Sequence, residues 1–141
     1  MKIVLVLAVF AMLFVAAMFF PAGRIFWQFG HLERNARKVT TPGELQAWAT
    51  NLLNRYPSNA WESVRLSELG TNFPRKLLSL YDAPPYVQIC GQTSDDDVPH
   101  VALVWGGGFI GHTGLEVGPT NFPGWRATNV WAPGVYSFTL P

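Results

Sequence analysis

The stretch VALVWGGGFIGHTGLEVG, residues 101–118, has two readings, and the choice between them sets the fold class. Gly106, Gly108 and Gly111 stand in the G-x-G-x-x-G spacing of dinucleotide-binding loops. That chemistry needs a strand before the glycines, a helix opening directly after them, and an acid roughly 20 residues on to hold the ribose. Residues 101–105 supply the strand. Residues 111–124 are broken by glycine and proline where the helix should begin, and no Asp or Glu follows Glu116. The second reading therefore stands: strand, glycine bend, strand, with the glycines serving positive φ or close backbone approach. Neither a nucleotide nor any other cofactor is expected.

Working outward, the extended pattern runs from Tyr86 to the end of the chain. YVQIC (86–90), VPHVALVW (98–105) and GFIGHTGLEV (108–117) read as strands, and NVWAPGVYSFTL (129–140) as one or two more, with a bend at Pro133-Gly134. Upstream the period is helical. Thr41 is a good N-cap, Pro42 suits the first helical position, and Glu44 completes a capping box. Leu45, Trp48, Ala49, Leu52, Leu53 and Tyr56 make one apolar face, and Pro57 ends the helix. A loop through Trp61 follows, then a shorter helix from about Pro74 to Tyr81. Helices first and strands after imply an α+β domain: two or three helices on one face of an antiparallel meander of about four strands.

The first residues read differently. Ile3–Phe20 is an unbroken apolar run of 18 residues, about 27 Å as a helix, close to the thickness of a thin bilayer. The chain thus divides into a transmembrane anchor (1–23), an amphipathic juxtamembrane segment (24–40) and a small α+β domain (41–141). The competing reading is a signal peptide cleaved after residue 17. Arg24, Phe26, Trp27, Arg34, Arg37 and Lys38 fall where a membrane interface favours basic and aromatic side chains. The charge of the basic residues among them leans the domain of a single-pass protein toward the cytoplasmic side by the positive-inside rule, with the extracytoplasmic side as the alternative. For residues 24–38, a helix packed on the domain competes equally with one lying on lipid.

Composition removes several functional classes. A formal net charge of +1 leaves no electrostatic footprint for nucleic acid. Cys90 is the sole cysteine, so neither an intrachain disulfide nor a multi-cysteine zinc site can form. The GGGF segment could offer oxyanion-binding amides, but the chain has no G-x-S-x-G elbow to supply a nucleophile. Asp95–Asp97 lacks the alternating donors and glycine of a calcium loop and reads as a solvated turn. Cys90 with His100 could form a nucleophilic pair, and His100 with His112 could approach a metal if they share a sheet face. His100, His112 and Glu116 are accordingly the candidate polar site, with no catalytic, cofactor or metal role assigned.

An apolar N-terminal run followed by a helix and then strands resembles the architecture of type IV pilins and pseudopilins, which implies a pilus-like assembly subunit. Those proteins carry a leader ending in Gly and a Glu near the start of the apolar run. Here no Gly precedes Ile3 and no acid lies within residues 3–20. The favoured expectation is a membrane-anchored, non-enzymatic module or scaffold that contacts lipid and binds another protein. A small-ligand or metal-dependent enzyme using His100, His112 and Glu116 is the other alternative.

Overall fold

In the computed structural model the described residues are 10, 12, 14, 16, 31–94, 97–106, 111–126 and 129–140. The Thr41 cap forms as its sequence requires. Thr41 Oγ1 accepts from the Glu44 N–H at 3.3 Å, and the Thr41 N–H donates to Glu44 Oε2 at 2.8 Å. The bonds donated to the Glu44 carboxyl by the Thr41 N–H and by the Thr41 and Thr40 hydroxyls hold it below its ordinary pKa, the backbone bond from Thr41 contributing most. A short helix, α1 (Leu32–Ala36), precedes the cap, and the capped helix is α2 (Pro42–Leu53).

One face of α2 is fully buried: Leu45, Trp48, Ala49 and Leu52. Trp48 Nε1 donates to Leu69 O at 2.9 Å, so the indole buries its ring without stranding its polar atom. Phe73 meets the ring edge-on at 4.9 Å. Gln46 leaves the same helix toward the sheet, where Nε2 donates to Pro133 O at 2.8 Å and Gly118 O at 3.3 Å.

Among the described residues six strands form one antiparallel sheet: β1 (Trp61–Val64), β2 (Tyr86–Cys90), β3 (His100–Gly106), β4 (His112–Val117), β5 (Asn129–Ala132) and β6 (Val135–Leu140). Their order is β1-β2-β3-β4-β6-β5. Two expectations are corrected here. The sheet has six strands where about four were expected, and it departs from a meander, because the chain leaves β4, passes β6's position and returns to it through β5. β1 escaped the sequence reading because Trp61, Glu62 and Ser63 are all exposed, so the four-residue strand shows no alternation. The Pro133-Gly134 bend is a tight hairpin: Ala132 pairs with Val135 and Gly134 has φ +79°. A type II-like turn splays flanking strands, and the register shift between Val130 and Ala132 is the bulge that absorbs it.

The expected helix over 74–81 is also corrected, to a 3-10 helix, Arg75–Ser79. Pro74 precedes it and the Ala83-Pro84-Pro85 run follows closely, leaving too few residues for an α-helical ladder. A second 3-10 turn spans Leu66–Glu68.

Cross-strand register divides the sheet into two faces. Val101, Leu103, Leu115, Val117 and Val135 share one face with Val87 and Ile89, and there they join Leu32, Ala36 and the buried face of α2 in the main core. Cys90, Ala102, Val104 and Phe138 form a smaller core on the other face.

The single-pass anchor and membrane localisation are corrected as well. Crossing the hydrocarbon core takes about 20 apolar residues in one helix. Among the described residues no helix is long and apolar enough to cross a membrane. The longest with assigned bounds, α2, has 12 residues, about 18 Å, and a polar face. Of the expected anchor only Phe10, Met12, Phe14 and Ala16 are described, so most of residues 1–23 lie outside the described residues, as do Arg24, Phe26 and Trp27. In the remainder of 24–40, Leu32 and Ala36 point into the core. Arg37 donates to Glu33 Oε1 and lies 5.3 Å over Trp131, Lys38 reaches Asn35, and Arg34 is exposed.

Candidate functional site

Strand alternation forces Glu116 onto the face opposite Leu115 and Val117, between Ala102 of β3 and Tyr136 of β6. It is fully buried. A carboxylate there needs donors, and the connection between β4 and β5 brings them: Oε2 accepts the Trp125 N–H at 2.7 Å and the Arg126 N–H at 2.9 Å. Oε1 lies 3.9 Å from Arg126 Nε and 4.0 Å from His100 Nε2. Glu116 thus pins this connection across the smaller core.

His100 opens β3 on the same face and is 5% exposed. Its Nδ1 lies 3.0 Å from Val98 O. A carbonyl can only accept, so Nδ1 carries the proton in the neutral ring and Nε2 presents a lone pair toward Glu116 Oε1. Both of these atoms are buried and have no hydrogen-bond partner among the described residues. Burial is the foremost influence on the imidazole and lowers its pKa. The Val98 bond and the charges of Glu116 and Asp97 oppose that shift, while Arg126 reinforces it. The ring is therefore neutral at pH 7.

Aromatic rings close over this pair. Phe122 stacks on His100 with centroids 4.2 Å apart, and Tyr136 Oη donates to Phe122 O at 2.8 Å. Gly118 permits the approach, since a Cβ there would sit 2.9 Å from the Phe122 ring. Trp125 meets Trp61 of β1 edge-to-face at 5.6 Å. Arg126 lies 5.0 Å over Trp125 and 5.5 Å over Phe138. Between the Phe122–Trp125 segment and the loop after β2 lies a cleft of about 150 Å³, lined by Trp61, Gly91, Thr93, Asp97, Val98 and His100 on the sheet side.

Of the residues singled out in the sequence, His100 and Glu116 come together and His112 does not join them. His112 shares their face, but it pairs with Gly106, four residues along β4 from Glu116, about 13 Å at strand rise. Among the described residues no three His, Cys, Asp or Glu could hold a metal ion. Cys90 pairs with His100 in register, yet it is buried and its thiol is pushed up to about 11. Burial is the main cause, with Glu116 adding to it and Arg126 opposing. A protonated, enclosed thiol is no nucleophile. Asp95 and Asp96 lie outside the described residues. Asp97 Oδ2 accepts from the Ser94 N–H at 3.0 Å, the Thr93 N–H at 3.1 Å and the Thr93 hydroxyl. These bonds, the Thr93 hydroxyl first, hold the Asp97 carboxyl below its ordinary pKa.

The glycine-rich stretch behaves as a strand connection. β3 and β4 pair antiparallel on either side of it, Gly106 has φ +93° and Gly111 φ +82°, and residues 107–110 lie outside the described residues. A strand, where a dinucleotide site needs a helix, follows the glycines.

Sequence reasoning missed Trp61, Phe122, Trp125 and Arg126. The available signal was NFPGWR (121–126): a Trp-Arg pair in a Gly/Pro-rich connection, where no strand or helix period explains a large aromatic. In comparisons with known proteins, no family model, no curated protein and no solved structure matches this chain.

Proposed function

We propose that this chain is a non-enzymatic protein-binding module whose partner anchors in the Trp61–Trp125 cleft. The observation that carries the reading is the cleft's size combined with its rim. A space of about 150 Å³ matches a cavity that holds one benzene-sized group. Pockets for cofactors and drug-sized ligands run from roughly 300 to 1,000 Å³. One inserted side chain fills it. The two indoles at its mouth are 40% and 58% exposed, and Trp beside a small pocket is the usual make-up of an interface hot spot.

The polar groups nearby favour support over catalysis. Glu116 spends one oxygen on two backbone amides, and Cys90 is an enclosed thiol. The small-ligand alternative retains one observation in its favour, His100 Nε2, which faces Glu116 Oε1 and has no hydrogen-bond partner among the described residues.

Crosslinking the full chain in its native cell before purification tests the reading. We expect a polypeptide to accompany the wild type at fixed stoichiometry and to be lost from Trp125→Ala, which loses the ring contact with Trp61 at a cost of about 1 kcal/mol and stays folded. Recovery of the same polypeptides with both chains, or of none with either, refutes it.

A further inference from the structure

The groups around the cleft carry an uneven charge. Glu116 and Arg126 face one another at 3.9 Å and offset each other's charge. His100 is neutral, for the burial reason given above. Asp97 remains, an anion on the cleft wall, and among the described residues no Lys or Arg lines it. The local field is therefore negative although the whole chain carries +1.

The aromatic rim adds a second preference of the same sign. Trp61 and Trp125 stand at 71° to each other, two indole walls at the mouth of the cleft. The π-face of an indole is its electron-rich surface and attracts cations more strongly than the other aromatic side chains do. Trp125 already accepts one guanidinium, that of Arg126, at 5.0 Å. The volume admits a single side chain, and long basic side chains combine an apolar stem with a charged head.

We infer that the cleft takes one lysine or arginine side chain of a partner polypeptide, its stem against Trp61 and Trp125 and its charge facing Asp97. This rests on the reading of the cleft as a protein-docking site and names its occupant. An acidic side chain meets Asp97 with like charge, and an aliphatic one leaves the field of Asp97 and the indole faces unused.

The test is selection of random peptides displayed on phage against the full chain, with Trp125→Ala as the counter-selected protein. Enriched peptides are then synthesised and titrated by tryptophan fluorescence. The expected result is a family of Trp125-dependent peptides sharing Lys or Arg at one fixed position. Replacing that residue by norleucine weakens binding about tenfold, the scale of a charged interface contact, and added salt weakens the parent peptide but not the norleucine peptide. Asp97→Asn keeps an acceptor for Thr93 and Ser94 and reproduces the norleucine loss. The salt titration of the wild type decides the matter should that variant lose its turn. Trp125-dependent peptides with an apolar or acidic residue at the fixed position overturn the basic-side-chain inference and leave the docking reading intact. An absence of any Trp125-dependent peptide overturns both.

Discussion

Replacing Glu116 separates the hydrogen-bonding role of this carboxylate from its charge. Glu116→Ala removes the acceptor shared by the Trp125 and Arg126 amides and leaves the Arg126 guanidinium without its partner. A hydrogen bond to a charged group contributes about 1.5–3 kcal/mol, and breaking a buried pair from one side costs about 3–5 kcal/mol. Both amides are part-buried, so water recovers some of the loss, and the net expectation is about 3–5 kcal/mol. Glu116→Gln is different. Its carbonyl can keep both amides, and its NH₂ meets His100 Nε2, turning an acceptor facing an acceptor into a donor facing one. That variant should cost only about 1 kcal/mol, the ordinary net worth of a single hydrogen bond. Urea denaturation followed by tryptophan fluorescence reads both, because Trp125 sits on the segment that is released. An alanine variant within about 1 kcal/mol of wild type means that Glu116 does not hold the connection. A glutamine variant as damaged as alanine means that charge, not hydrogen bonding, holds it.

Three further outcomes are expected. His100 has its pKa lowered from 6.5 in the fold, chiefly by burial, so the unfolded chain takes up the proton first. Stability is then complete above pH 6.5 and falls as the pH drops below it; in denaturation at pH 7 and pH 5, His100→Gln should show a smaller difference than wild type. Trp48→Ala empties a buried site and strands the Leu69 carbonyl, at a cost of about 3–5 kcal/mol by urea denaturation. Gln46→Ala loses two bonds to loop carbonyls and should cost about 1 kcal/mol, so equal losses for the two would misplace the core. Cys90, with its thiol at about 11, should react with a thiol-specific disulfide reagent at pH 8 only after denaturant is added; rapid labelling of the native chain contradicts its enclosure.

What could be read from the sequence was local. The capping box, the apolar face of α2 and the extended runs within 98–105 and 108–117 are carried by residues within a few positions of each other; the box and the face form, and the runs form as strands over His100–Gly106 and His112–Val117. What could not be read was long-range or without alternation. β1 has three exposed residues in succession, and the placing of β6 between β4 and β5 depends on which strands meet, a matter on which hydrophobic period is silent. The same division runs through the site. Alternation puts His112 and Glu116 on one face of their strand, but only the register adds His100 to that face and shows that His112 stands too far along the strand to join the other two. Trp125 and Arg126 belong to the site because a carboxylate nine and ten residues earlier accepts their amides. A glutamate in a strand announces neither its burial nor its partners.

The anchoring of the Phe122–Arg126 segment also fixes when it can form. Its buried attachments sit on separate strands, among them His100 on β3, Glu116 on β4 and Tyr136 on β6. Until those strands are side by side in their final register, the segment has nothing to attach to. Closing a long loop before its contacts exist is entropically unfavourable, so this wall of the cleft is expected to form only after β3, β4 and β6 have paired. It is also bound to nothing but finished structure. The amide protons of Trp125 and Arg126, each held by one carboxylate oxygen, can then exchange with solvent through a local opening that leaves the sheet in place. Partner occupancy would register there first, as slowed exchange at two adjacent amides against an unchanged background in β3 and β4.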